Sequence, residues 1–178
     1  MTDLDAAYAN VEAIPYGAQY PARWTVEAET FRAQARAALA LPYGDTPRQA
    51  LDLFYPEGKP RGLCMFVHGG YWLRFDRSLW SHLAAGPLAR GWAVAIPSYD
   101  LCPEVRIADI TRQIARAVTV AAGRVAGPVA LAGHSAGGQL VARMAVPGML
   151  IDEVAARLSH VLPISPVADL RPLLRTSM

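Results

Sequence analysis

The sequence predicts an α/β fold: a mostly parallel sheet flanked by helices. Three observations predict it. Four short apolar runs, at 62–68, 92–99, 128–133 and 160–165, start 30, 36 and 32 residues apart, which leaves room for a helix between successive strands. The runs are apolar on both alternations, as strands buried on both faces are. Between the second and third runs, Ile110, Ile114, Ala117, Val118 and Ala121 share one helical face, with Arg106, Asp109, Arg112, Gln113 and Arg116 mostly on the other.

In chain order, residues 1–45 read as a helical lead-in to one domain spanning 1–178. Strong helix formers predict a helix over 25–41, with Thr25 as N-cap and Pro42 as its stop. Residues 51–55 alternate as a short strand, closed by the turn-forming cluster 56–60. The four apolar runs follow as strands, with crossover helices over 78–89, from Ile107 onward, and over 138–145.

With 53% apolar and 18% charged residues, the chain is not of the disordered class. Seventeen basic against 15 acidic residues are interspersed without a basic stripe, so nucleic acid is not an implied partner. Cys64 and Cys102 cannot make a disulfide framework. Residues 1–10 lack the apolar segment of a signal peptide, and no apolar run is long enough to span a membrane. The expectation is a soluble cytoplasmic protein with no membrane partner.

Two motifs carry chemistry. Gly133, His134, Ser135, Ala136 and Gly137 form a G-x-S-x-G sequence directly after an apolar strand and directly before a helix. A nucleophilic serine needs that placement: a sharp turn lifts its hydroxyl clear of the sheet's carboxyl edge. Gly133 and Gly137 keep the crowded turn open, and the Ala136 N–H points to where an oxyanion would form. A glycine-rich turn that only connects strand to helix is the competing reading. A phosphate loop fails on detail, lacking both G-x-G-x-x-G and a Walker lysine.

The second motif is His68, Gly69, Gly70, Tyr71 and Trp72, on the loop after an earlier strand. A glycine pair lets main-chain N–H groups approach a developing negative charge. Neither His68 nor His134 suits the general base. His134 shares the serine's turn and diverges from it, and His68 is expected to orient the loop. Neither has the paired spacing of a zinc ligand. No metal or organic cofactor is expected. Trp72, with Tyr71 and Phe75, suits an aromatic pocket wall, with ordinary packing as the equal alternative.

These motifs, with YDLCPE at 99–104, LAGHSAGGQLVARM at 131–144 and PISPVADLRPLL at 163–174, resemble the α/β-hydrolase superfamily from about Leu51 onward. Within it they resemble the kynurenine formamidase (arylformamidase) and esterase branch. The resemblance implies a hydrolase of small-molecule esters or activated amides, with N-formylkynurenine the best-known substrate. By that resemblance Ser135 is the nucleophile, and the Gly70, Tyr71 and Ala136 amides form the oxyanion hole.

The family's triad runs Ser, then Asp or Glu, then His. Only 43 residues follow Ser135, and they hold one histidine, His160, with Asp152, Glu153 and Asp169 as the acids. His160 opens a strand and so lies at the wrong sheet edge; Asp169 comes one strand early. The expectation is therefore an α/β-hydrolase sheet lacking its last strands, part of a longer protein, with weak or no activity as it stands. The competing class is a non-catalytic interaction module of the same fold, pairing, for example as a homo-oligomer, through the uncovered sheet edge.

Overall fold

The computed structural model describes residues 3–177, with the Asn10 side chain left aside; residues 1, 2 and 178 of the expected domain lie outside the described residues. Six strands form one sheet: β1 (Ala37–Pro42), β2 (Ala50–Phe54), β3 (Leu63–Val67), β4 (Ala93–Pro97), β5 (Val129–His134) and β6 (Leu158–Ile164). Their spatial order is β1-β2-β4-β3-β5-β6. The pairs β4/β3, β3/β5 and β5/β6 are parallel, and β1/β2 and β2/β4 are antiparallel. The mostly parallel sheet expected from the strand spacing is thus present, with an antiparallel pair added at one side.

That pair holds the main correction. The helix expected over 25–41 is α3, Tyr20–Gln34, and the chain then turns extended at Ala35 and runs into β1. Leu39 and its alanine neighbours favour helix, but the ladder to β2 overrides a weak propensity. Thr25 is no cap. It lies inside α3, its hydroxyl donating back to the Pro21 carbonyl at 3.0 Å, and Pro21 in the first turn marks the helix start instead. The helix expected over 78–89 is a 3-10 helix, Arg77–Ala84, followed by a single turn, α4 (Ala85–Leu88). Gly86 weakens an α-helical ladder and Pro87 removes a donor from it.

The remaining helices are α1 (Leu4–Tyr8), α2 (Asn10–Ala13), α5 (Ile107–Arg124), α6 (Ala136–Met144) and α7 (Asp152–Ala155). Alternation along the strands sorts the core into two layers. Leu51, Leu53, Met65, Ala95 and Leu131 pack with Ile110, Ile114 and Val118 of α5 and Leu140 of α6. Phe54, Val94 and Ile96 pack on the opposite face with Trp80 of the 3-10 helix and Trp24 and Phe31 of α3. β6 is the outermost strand, and its Leu162 and Ile164 are exposed.

One ion-pair cluster ties the second layer to the sheet. Asp52, buried on β2, accepts from Arg77 Nε at 2.9 Å and from the Ala40 N–H at 2.8 Å, with Arg32 of α3 at 3.9 Å. Removing one partner of a buried pair leaves the others uncompensated. Asp52→Ala is expected to cost about 3 kcal/mol of stability and Asp52→Asn less, read from the urea midpoint at unchanged m-value.

Candidate active site

β5 ends in a turn that no ordinary residue adopts comfortably. Ser135 has φ 55° and ψ −116°, and α6 begins at the next residue. The surroundings tolerate nothing larger than glycine at three neighbours. A Cβ on Gly137 would overlap the Val67 carbonyl oxygen, and one on Gly133 the Gly137 carbonyl oxygen. On Gly69 a Cβ would stand 2.8 Å from the His134 carbonyl oxygen and 3.0 Å from Ser135 Cβ. The serine backbone is held from β6 as well. Its N–H donates to the Ile164 carbonyl at 2.9 Å, and its carbonyl accepts from Gln139 N–H at 3.1 Å and Val167 N–H at 3.2 Å.

The loop after β3 is equally constrained. Gly70, Tyr71, Trp72 and Phe75 all have positive φ, at 108°, 53°, 59° and 74°. Such clustering of uncommon backbone marks over-determined sites. His68 is fully buried beneath the loop, its ring stacked on Tyr99 with centroids 4.4 Å apart. Its Nδ1–H donates to the Gly69 carbonyl at 2.7 Å, since a carbonyl can only accept, and the Tyr99 hydroxyl donates to the His68 carbonyl at 2.9 Å. Both carbonyls are thereby turned into the protein. Among the described residues, the Gly70 and Ala136 N–H groups donate to no protein acceptor.

Loop and turn meet at a cavity of about 610 Å³ lined by Gly69, Gly70, Tyr71, His134 and Ser135. Its other walls are Arg74, Phe75 and Trp80, with Val11, Ile14, Tyr20, Pro21 and Trp24 from the N-terminal segment. Ser135 is part-exposed, so its hydroxyl shares one accessible space with the glycine loop. The contribution of residues 11–24 was not legible in a lead-in read only as helical. The available signal was the run of apolar and aromatic side chains there, which no strand of their own would bury.

The other site residues divide. Tyr71 and Phe75 line the cavity, but Trp72 does not: it is 2% exposed and packs in the main core, because its positive φ turns the ring inward. His134 borders the cavity without bonding Ser135, and burial lowers its pKa. His160 is exposed and lies in register with Ala130, near the start of β5 and far along the strand from Ser135. Asp169 is exposed and bound by Arg171 at 2.7 Å; Asp152 and Glu153 are exposed on α7. The fourth histidine, His82, pairs with Glu27 at 3.7 Å. Among the described residues no cluster of three or more His, Cys, Asp or Glu could hold a metal ion, and no helix is long and apolar enough to cross a membrane.

Residues 64–178 match a family described by the alpha/beta hydrolase fold. The kynurenine formamidase of Drosophila melanogaster is 33% identical over 141 residues, covering 75% of this chain and 46% of its own length. A crystal structure of a provisionally assigned thioesterase from Silicibacter sp. TM1040 is 60% identical with TM-score 0.97, over all of this chain and 69% of that one. Esterase B of Lactobacillus rhamnosis is 25% identical with TM-score 0.58, over 92% of this chain and 56% of that one. The chain thus spans about half the length of the curated relatives it matches.

Burial holds the His68 imidazole down to about 4, below its ordinary 6.5. A group depressed on folding binds more protons when unfolded, so its contribution is full above pH 6.5 and is lost as pH falls towards 4. The unfolding free energy from urea titrations is expected to fall across that window by about 3 kcal/mol from this group. His68→Phe is expected to remove that part of the pH dependence, read by comparing the two profiles.

Proposed function

We propose, from the premise that this chain belongs to the α/β-hydrolase family, that its site cleaves an ester or aryl-formamide bond through a covalent acyl-enzyme on Ser135. The observation that carries the reading is the shared cavity: a serine on a left-handed turn opens into the same space as a glycine loop whose Gly70 N–H is unspent on the described protein residues.

The mechanism follows from that arrangement. The Ser135 oxygen attacks the substrate carbonyl carbon and loses its proton to a base. The carbonyl oxygen becomes an oxyanion between the Ala136 and Gly70 N–H groups, with the Tyr71 amide beside them. Donors fixed in advance at that position lower the barrier by about 3 kcal/mol each. Ala136 contributes also through its place at the start of α6, whose dipole favours negative charge. Collapse expels the alcohol or amine, and water then releases the acid. The similarity to a kynurenine formamidase and to esterase B supports an aryl-formamide or carboxylic ester as the bond. The apolar cavity supports an aromatic or hydrophobic group beside it.

None of the four histidines serves as base in this arrangement: His68 is sealed in the core, His82 and His160 lie elsewhere, and His134 makes no bond to the serine. Nucleophile and oxyanion donors without a paired base retain only residual rate. The reading therefore expects weak turnover from these 178 residues.

Three measurements check it. A fluorophosphonate is expected to label the chain at one site, lost in Ser135→Ala; labelling that survives the substitution refutes the assignment. Gly70→Ala is expected to slow labelling about 100-fold, because a Cβ there meets the Arg74 carbonyl oxygen at 2.6 Å and displaces the donor. Turnover of p-nitrophenyl acetate and N-formylkynurenine by the isolated chain is expected to be low and to depend on Ser135.

A further inference from the structure

Apart from Ser135 and His134, the cavity's walls are mainly apolar and aromatic. Among the described residues, Arg74 is the only Lys, Arg, Asp or Glu lining the cavity. The arginine stem runs beside the oxyanion loop: a Cβ built on Gly70 would lie 3.2 Å from Arg74 Cγ. Its guanidinium carbon stands 5.3 Å from the centroid of the Phe75 ring. That distance is within reach of a cation–π contact.

The N–H fork of the guanidinium is not used by the protein. Among the described residues Arg74 makes no side-chain hydrogen bond and no ion pair, whereas Arg32, Arg48, Arg77 and Arg157 are each committed to specific acceptors. Asp5 and Glu12 border a neighbouring recess that Arg74 also touches, but neither pairs with it, and Asp5 accepts from the Ser177 N–H at 2.7 Å. A solvent-exposed cation at the cavity wall, on the same loop as Gly70 and without a protein counter-ion, matches an anionic group on the ligand.

Resting on the hydrolase reading above, we infer that the site selects substrates carrying a carboxylate, held edge-on by Arg74 while the hydrophobic part fills the aromatic cavity. Arg74 is a specificity-determining residue here and takes no part in bond making. A charge-assisted, bidentate contact of this kind discriminates against a neutral isostere by about tenfold or more, since about 1.4 kcal/mol suffices for that ratio.

The test separates binding from chemistry. Trp24 and Trp80 line the cavity, so ligand binding is read by intrinsic tryptophan fluorescence and checked by calorimetry. The probes are 4-phenylbutyrate and its neutral amide. The acid is expected to bind at least tenfold tighter at low salt, with the gap narrowing as salt rises. Arg74→Met is expected to close the gap, Arg74→Glu to reverse it, and Arg74→Lys to keep part of it. Equal binding of acid and amide by the unsubstituted chain overturns the inference, as does a gap that persists in Arg74→Met.

Acylation rates then locate the anion on the substrate. Mono-p-nitrophenyl glutarate against p-nitrophenyl valerate places it on the acyl half; 3-acetoxybenzoate against phenyl acetate places it on the leaving half. An Arg74-dependent preference in either pair supports the inference. Fluorophosphonate labelling of Ser135 is followed separately. A chain that labels but shows no acid preference overturns the substrate class alone, and one with the preference but no labelling overturns the hydrolase reading alone.

Discussion

The backbone at Ser135 governs the rest. A non-glycine residue at φ 55° and ψ −116° carries a cost of about 1–3 kcal/mol, and it persists only where its surroundings allow no alternative. Those surroundings come from three places. β3 presents carbonyls that leave room only for a hydrogen at Gly137. β6 receives the serine N–H. The segment after β6 returns an N–H from Val167 to the serine carbonyl. The parallel order β3-β5-β6 is thus the arrangement that brings these restraints to a single residue.

The loop after β3 is held differently, from below rather than from the sides. A fully buried imidazole stacked on Tyr99 draws the Gly69 carbonyl inward, the Tyr99 hydroxyl draws in the His68 carbonyl, and the following residues take left-handed backbone. Burial keeps the ring neutral, which the core demands, since a charged imidazole without a counter-ion would be costly there. Its role in the site is positional: with Tyr99 it turns the loop's first carbonyls away from the cavity.

The N-terminal segment adds what neither motif supplies, a roof. Val11 and Ile14 stand partly exposed at the cavity wall, and Trp24 contacts Trp80 with centroids 4.8 Å apart, joining the roof to the second core layer. Arg74 then stands out as the charged side chain, among the described residues, on a wall otherwise mainly apolar apart from Ser135 and His134.

Some of this was written locally in the chain. Short runs apolar on both alternations, spaced to admit a helix between them, specify parallel strands, and small residues two before and two after Ser135 specify a turn that larger ones could not enter. The glycine pair at 69 and 70 was readable for the same steric reason. These features depend on neighbours in sequence, so the sequence alone determined them. Other features depend on what a segment meets after the chain has folded. Residues 37–42 became strand because the edge of β2 was free to pair. Trp72, although it stands in the loop motif, turned inward on a positive-φ backbone and packs in the main core. Residues 11–24 became cavity wall because α3 packs on the 3-10 helix below the site. Long-range packing can override local preferences of a fraction of a kcal/mol, so the tertiary structure alone decided these placements.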